Sequence, residues 1–278
     1  MALSALLGLL FAAATASPQT AQNEPPSVDT VMSRVAVNQD HSEAARKKYR
    51  CEQHIHVITS KPDDRVIREE AADYKLLPTP TGTQVQLHRL TGRYWSKGKY
   101  ENFSGEPVPL PNSWDADYIR DVRMCLTGEK SRCASGPLLF PLSSEEQKQY
   151  DFNLLGRETV QGRDAYHISF KPKDKDSFTW AGEAFIDVTE FQPLRVFTNL
   201  SRHVPFAVRT VLGTDISGFG YNIVYARQHD GSWFPTSYGT EYELRLFFHV
   251  SRAVSVSMDS SFEPAEDNLT PDLFLRRH

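Results

Sequence analysis

The second half of the chain, residues 150–262, alternates apolar and polar side chains in short runs that turn signals separate. Residues 166–170 (YHISF) and 242–246 (YELRL) are typical of the pattern. A β-strand sends successive side chains to opposite faces, so these runs predict an antiparallel sheet with one apolar and one polar face. Asp230-Gly231 lies between two of the runs and is a strong two-residue hairpin signal.

The apolar face of this sheet is the central functional question, because something must cover it. Fully covered, such a face contributes tens of kcal/mol at about 25 cal/mol per Å². Its members are expected to face inward and to form a cavity wall: Tyr166, Ile168, Phe170, Ile186, Val196, Tyr221, Ile223, Tyr242 and Leu244. The alternatives are a curved sheet that encloses a hydrophobic cavity and a packed barrel or sandwich with none.

Helical patterns are few and short. After the N-cap candidate Ser27, an apolar stripe predicts a helix from Val28 that residues 38–40 (NQD) interrupt, with a second piece over residues 42–49. A capping box predicts another short helix over residues 144–149.

A further amphipathic helix is predicted after Ser113. Its Trp114, Tyr118 and Val122 share one face, which suits a lid over the sheet. Three short helices are too few to cover seven or more strands, so the balance of elements leaves room for a cavity.

Composition bounds the compartment and the partners. The chain has 278 residues and a formal net charge of −4 without a basic block, so nucleic-acid binding is not expected. Residues 2–16 are uncharged and mostly apolar, end in Ala14-Thr15-Ala16, and are too short for a confident membrane span. They are interpreted as a signal peptide, with a buried apolar helix as the alternative. The expected division is a signal peptide (1–16), a linker (17–26), one domain (27–262) and a tail (263–278).

Motifs for catalysis are missing from the sequence. There is no Gly-x-Ser-x-Gly elbow, Walker loop, His-Glu-x-x-His or Cys-x-x-Cys. His54 and His56 would share one face of a strand, which can suit zinc, but no third ligand stands at a telling spacing. No metal site and no cofactor are therefore predicted, and these histidines are expected to be surface or core residues.

Two further sets of residues have structural interpretations. The adjacent or nearby carboxylates are expected to be solvated rather than catalytic: Glu69/Glu70, Glu145/Glu146 and Asp115/Asp117. Cys125 and Cys133 are close enough to form a disulfide that leaves Cys51 unpaired, and the alternative is three buried thiols.

The order of elements resembles the outer-membrane lipoprotein-sorting superfamily, the LolA/LolB-like fold, from about Val28 to Phe262. The motifs that carry the resemblance are residues 150–156 (YDFNLLG), 162–168 (GRDAYHI), 182–187 (GEAFID), 191–196 (FQPLRV) and 233–235 (WFP). They are most similar to an exported, uncharacterised bacterial branch. The resemblance implies an α+β, mainly antiparallel β fold: an open half-barrel of many strands with helices covering the concave face.

The same resemblance implies a function. Members carry or sense acyl chains of lipoproteins or other lipids in the periplasm, so the expectation is a non-enzymatic periplasmic binder of lipid or acyl chains. The alternatives are an envelope protein-interaction or sensor module and, less favoured, a metal-dependent hydrolase that uses His54 and His56.

Overall fold

The computed structural model of the chain describes residues 26–105, 114–130, 142–174, 179–201, 206–211 and 213–265. Within these ranges the chain forms twelve strands and three α-helices. The strands are β1 (Tyr49–Ser60), β2 (Val66–Thr79), β3 (Gly82–Ser96), β4 (Lys99–Ser104), β5 (Tyr150–Val160), β6 (Arg163–Pro172), β7 (Trp180–Asp187), β8 (Pro193–Leu200), β9 (Asp215–Ser217), β10 (Gly220–Arg227), β11 (Trp233–Leu246) and β12 (Val250–Pro264). The expected signal peptide and most of the expected tail lie outside the described residues.

All strands belong to one antiparallel sheet. Its order is β4-β3-β2-β1-β12-β11-β10-β8-β7-β6-β5, and the short β9 pairs with β11 off this path. Because β4 and β5 are at opposite ends of the order, the sheet is open rather than a closed barrel. The predicted fold class, a mainly antiparallel open sheet with few helices, is confirmed.

The helices are α1 (Val28–Arg46), α2 (Trp114–Leu126) and α3 (Phe206–Val211), with a 3-10 turn at Glu146–Gln149. Ser27 caps α1 by accepting a hydrogen bond from Thr30 N at 3.2 Å. One half of the predicted capping box is present, since Ser143 Oγ accepts a hydrogen bond from the Glu146 amide at 3.4 Å; the same hydroxyl donates to Glu146 Oε2 at 2.8 Å. The segment it opens is a single 3-10 turn, shorter than the helix expected there.

The predicted interruption of α1 at residues 38–40 is wrong. The helix continues because these polar side chains bond to the rest of the fold instead of to their own backbone. Asn38 Nδ2 donates to the Glu190 carbonyl oxygen at 2.8 Å, and Gln39 Nε2 donates to Gln192 Oε1 at 3.1 Å. Asp40 accepts the Ser144 amide at 3.3 Å.

The sequence pattern predicts separate strands over residues 83–90 and 93–103, with a gap at residues 91–92. This prediction is wrong, because β3 runs through the gap. A Cβ at Gly92 would lie 2.3 Å from the Glu69 carbonyl oxygen and 2.5 Å from Phe103 Cζ. Gly92 therefore lets the Phe103 ring pack across the strand pair. The turn comes later, at Lys97-Gly98, where both residues have positive φ.

The apolar face of the sheet is covered by α1 and α2. Val31, Met32 and Val35 of α1 and Ile119 and Val122 of α2 are all 3% exposed or less. They join the inward side chains of the strands in one hydrophobic cluster. Among the described helices, none is long and apolar enough to cross a membrane.

A candidate ligand cavity

A cavity of about 1090 Å³ opens between the apolar face of the sheet and the C-terminal ends of α1 and α2. The start of β1, the β2–β3 turn and neighbouring segments of β10, β11 and β12 complete its wall. A volume of this size matches pockets that bury a small organic ligand. The hollow beneath the helices is therefore not filled by the described side chains.

The lining changes in character from the depth of the cavity to its mouth. Apolar side chains form much of the wall: Tyr49, Leu76, Val85, Leu126, Ile223, Tyr238, Met258 and Phe262. Charged side chains stand where the two helices end: Glu43, Arg46, Lys47, Glu129 and Lys130. An amphiphile, with an apolar body and a polar end, fits this division better than a plain hydrocarbon does.

Two polar side chains face each other across β1 and β12 inside this wall. Gln53 is the register partner of Ser260. Gln53 Oε1 is buried and accepts no hydrogen bond in the structure. A buried acceptor without a donor is unfavourable, so this position favours a ligand that places a donor group or a water molecule beside it.

Cys51 lies next to this pair and is a buried free thiol that also lines the cavity. Burial raises the pKa of the Cys51 thiol to about 12, against smaller opposing effects of Ser260 and Arg46. Cys125 takes part in a disulfide. Its expected partner, Cys133, lies outside the described residues.

The nine residues predicted to form a cavity wall all face inward, but the structure places most of them in packed core. Ile223 lines the large cavity. Tyr242 is 6% exposed within the hydrophobic cluster, and it also borders a second, more open cavity of about 550 Å³ near β9 that the exposed Glu241 and Glu243 line. The remaining seven are 5% exposed or less within the hydrophobic cluster: Tyr166, Ile168, Phe170, Ile186, Val196, Tyr221 and Leu244. The alternation in the sequence identified the inward face of these strands correctly. It did not show at which point on that face a gap between the helices and the sheet forms the cavity.

The predicted lid residues lie on the side of α2 that packs on the sheet. The Trp114 ring stacks on Tyr118 with 4.6 Å between centroids, and Val122 is 3% exposed. The Tyr118 hydroxyl hydrogen-bonds to the Tyr242 hydroxyl of β11. Burial raises the pKa of Tyr118 to about 12, so this contact joins two neutral phenols at neutral pH.

A buried ionic triad fixes α2 to β2. Glu70 lies between two arginines: Arg68 Nε donates to Glu70 Oε1 at 2.6 Å, and Arg123 Nε of α2 lies 3.2 Å from Glu70 Oε2. The three residues are 1–3% exposed. Arg123 Nη1 also donates to the Tyr74 hydroxyl at 2.6 Å. The triad carries one net positive charge and is almost completely shielded from solvent.

The N-terminal end of α2 has its own ion pair. Arg252 of β12 donates from Nε and Nη2 to the two carboxylate oxygens of Asp115, at 2.8 and 2.9 Å. Asp115 is 5% exposed and Glu70 is 1% exposed, so the expectation that these carboxylates are solvated is wrong for both. The sequence contains one signal that could have placed Glu70 in the interior: residues 68, 70, 72 and 74 alternate onto the same face of β2, which the structure shows to be the inward one.

Three of the five sequence motifs behind the resemblance meet in one hydrogen-bonded network beside α1, through Arg163, Asp187 and Trp233. Arg163, at the start of β6, donates to Asp187 Oδ2 and to Glu190 Oε1, each at 2.6 Å. Trp233 Nε1 donates to Glu190 Oε2 at 2.9 Å. Burial by itself would raise the pKa of Asp187, but hydrogen bonds from Arg163 and from the Glu190 and Thr189 amides lower it overall. The network fixes the turn on which Asn38 docks, a structural role.

The two histidines considered for metal binding lie on the outer face and contact different carboxylates. His54 Nδ1 is 2.6 Å from Asp73 Oδ1, and His56 Nε2 is 2.9 Å from Glu69 Oε1. Each carboxylate also accepts from an arginine of β3, Arg89 or Arg93. No group of three potential metal ligands occurs in the part of the chain that the structure describes.

No known protein family matches the sequence, and no characterised protein does. Among solved structures, the chain is similar to a DUF1329 family protein from Desulfovibrio piger, with 14% identity, 87% of this chain and 95% of that chain covered, and a TM-score of 0.36. It is also similar to a putative outer-membrane lipoprotein-sorting protein domain from Vibrio parahaemolyticus, with 11% identity, 85% and 95% coverage, and a TM-score of 0.32. A LolA superfamily protein from Nitrosomonas europaea is similar at 10% identity, with 85% and 92% coverage and a TM-score of 0.32.

Two of these similar structures carry the lipoprotein-sorting or LolA name that the sequence resemblance suggested. At such identities and TM-scores the similarity carries no argument about ligand, partner or activity. Those conclusions rest on the cavity itself.

Proposed function

We propose that this protein is a non-enzymatic binder or carrier of lipid or acyl chains that holds its ligand in the cavity between the sheet and the ends of α1 and α2. The observation that carries the proposal is the cavity of about 1090 Å³, with apolar side chains along its wall and charged side chains at its mouth. An acyl chain along the wall would leave its headgroup beside Arg46, Lys47 and Lys130.

Burial of an acyl chain in the cavity would supply the free energy that a carrier needs to bind its ligand. Each methylene that leaves water contributes about 0.8 kcal/mol, so ten buried methylenes contribute about 8 kcal/mol. This corresponds to a dissociation constant of about 1 µM before ordering costs are subtracted. The cost of ordering the chain weakens this value, so about 1 µM is an upper limit on affinity for ten methylenes, and the ligand can still be released. No chemical step is needed for this role.

The proposed compartment is the bacterial periplasm. It rests on the apolar leader pattern of residues 2–16 and on the family resemblance of the sequence. An exported compartment is also consistent with the disulfide at Cys125.

The test is uptake of a fluorescent fatty acid, together with mass spectrometry of lipids that co-purify with the protein. Val85 lines the cavity, whereas its neighbour Gln86 is exposed on the opposite face of β3. Val85→Trp fills part of the cavity and is expected to lower uptake about tenfold. Gln86→Trp adds the same ring outside and should leave uptake unchanged. Absence of both co-purified lipid and uptake by the unmodified protein would contradict the proposal.

The alternative is an envelope interaction module, and the exposed edge strand β5 favours it as second candidate. β5 has eleven residues, most of them exposed, and its outer edge pairs with no described strand. Such an edge can add a strand from a partner. A partner retained after delipidation and lost when Glu158→Pro blocks the edge would support this function instead.

A further inference from the structure

The turn between β11 and β12 presents two phenylalanines to solvent. Phe247 is 62% exposed and Phe248 is 65% exposed. Val211, in the neighbouring helix α3, is 74% exposed. The chain returns to this turn at Gly213, whose carbonyl oxygen accepts the Phe248 amide at 3.3 Å. Phe247 and Phe248 form one apolar tip, which we call the Phe tip, and Val211 lies two residues before Gly213 in the chain.

The backbone conformation of the Phe tip is also unfavourable for phenylalanine. His249 N donates to the Leu246 carbonyl oxygen at 3.1 Å, and the two residues between them have φ of 50° for Phe247 and 60° for Phe248. A hairpin turn with two positive φ values strongly favours Asn-Gly or Asp-Gly. Two phenylalanines are therefore unfavourable here for backbone conformation and for solvation alike. Strain of this kind, kept at an exposed site, indicates a role outside folding.

The same end of the sheet carries an excess of positive charge. Ser60 pairs with Ala253 and Arg68 pairs with Tyr94, so the β1–β2 and β3–β4 turns lie at the end where the Phe tip stands. The cations of this end are Lys61, Arg65, Lys97, Lys99, Arg209 and Arg245, and the carboxylates are Asp63, Asp64, Glu101, Asp215 and Glu243. Six cations face five carboxylates, in a chain whose formal net charge is −4.

Most of these cations are not neutralised by neighbours. Arg65 contacts Asp63 at 3.4 Å and Lys99 contacts Glu101 at 3.8 Å. Lys97, Arg209 and Arg245 have no described carboxylate within ion-pair distance. Exposed aromatic side chains flanked by unpaired cations are the combination that binds the interface of an anionic bilayer, where rings enter the headgroup layer and cations meet lipid phosphates.

We propose that this end of the sheet docks on an anionic phospholipid bilayer, with Phe247 and Phe248 inserted into the headgroup layer. The site lies at the opposite end of the sheet from the large cavity, whose wall includes the β2–β3 turn. It is independent of the proposed cargo, so loss of docking and loss of fatty-acid uptake are separate results.

The test is co-sedimentation with vesicles of phosphatidylglycerol mixed with phosphatidylcholine, compared with phosphatidylcholine alone. Binding should require phosphatidylglycerol and weaken at high ionic strength. The variant Phe247→Asn with Phe248→Gly supplies the residues that this turn prefers. It should unfold at an equal or higher temperature than the unmodified protein, yet bind vesicles about tenfold more weakly.

The matched control is Val37→Ser with Leu155→Ser, which removes two exposed apolar residues elsewhere and should leave vesicle binding unchanged. The proposal is overturned if phosphatidylglycerol vesicles do not retain the protein or if the Asn-Gly variant binds as well as the unmodified chain. Self-association that the Asn-Gly variant abolishes, without vesicle binding, would assign the Phe tip to a second copy and also overturn it.

Discussion

Arg123 of α2 lies 3.2 Å from Glu70 of β2, and both side chains are almost completely withdrawn from solvent. Arg68 contacts the same carboxylate from the other side, so one anion serves two cations. Removing different members of this triad leaves different net charges in the interior, so each substitution should change the free energy of unfolding by a different amount.

Glu70→Gln leaves two buried arginines without a counter-charge. We expect it to lower the free energy of unfolding by about 3–5 kcal/mol. Arg123→Met leaves a neutral Arg68–Glu70 pair and should cost clearly less. Urea denaturation measures both. Glu69→Gln, at the adjacent and partly exposed position, is the control and should cost less than about 1 kcal/mol. Equal costs for the substitutions at residues 69 and 70 would contradict the interpretation.

Asp187 should make stability dependent on acid. Hydrogen bonds from Arg163 and two backbone amides lower its folded-state pKa despite burial. A lowered pKa contributes stability that is present above the unfolded-state pKa of about 3.9 and is lost as pH falls through the folded-state value.

Asp187→Asn should therefore be destabilising at pH 7, and its difference from the unmodified protein should shrink below a pH of about 4. Urea unfolding across that range measures the effect. Asp164, half exposed in the β5–β6 hairpin, provides the control in Asp164→Asn, which should change stability far less. A difference for Asp187→Asn that stays constant with pH would contradict the assignment.

Substitutions of core residues should lower stability, whereas substitutions of cavity residues on the same face should lower ligand affinity. Ile168 is fully buried away from both cavities, so Ile168→Ala should cost about 2–5 kcal/mol and leave the fatty-acid affinity of the folded protein unchanged. Ile223 lines the large cavity. Ile223→Ala should lower that affinity, because the ligand loses an apolar contact. Titration at a temperature where both variants are folded decides the matter; a loss of affinity for Ile168→Ala alone would place the ligand elsewhere.

The Cys51 thiol should react very slowly with thiol reagents in the folded protein. With a pKa of about 12, only about one thiol in ten thousand is ionised at pH 8, whereas an unfolded cysteine ionises near pH 8.5. A disulfide-exchange reagent should therefore react at residue 51 much faster in urea than in buffer, because unfolding both restores ordinary ionisation and exposes the thiol. The variant Cys51→Ser assigns the signal, and rapid labelling in buffer that this substitution removes would show the cavity wall to be open at that point.

The inward face of β6, β7, β8, β10 and β11 was predictable from the sequence, because period-two alternation needs only the strand itself. All nine inward residues chosen by alternation are indeed inward, from Tyr166 to Leu244. The position of the cavity was not predictable. It depends on where α1 and α2 end relative to the sheet, and those endpoints are set by contacts distant in sequence, such as Asn38 with Glu190 and Arg123 with Glu70.

The local errors have the same origin. Asn38 and Gln39 resemble a helix break until the turn that receives their amides is in place. Gly92 resembles a strand end until Phe103 packs over it from the neighbouring strand. Glu70 resembles a surface carboxylate until two arginines meet it. In each case the partner comes from another element of the fold.

The buried triad beneath α2 changes what it costs to lift that helix from the sheet. If only aliphatic groups joined α2 to the sheet, lifting the helix would expose them to water, and no favourable hydration would offset that cost. Arg123 and Glu70, once apart, would each regain the hydration that they gave up on folding, which offsets part of the lost attraction. Ionic anchoring therefore suits a cover that detaches and reseats without unfolding the sheet below it.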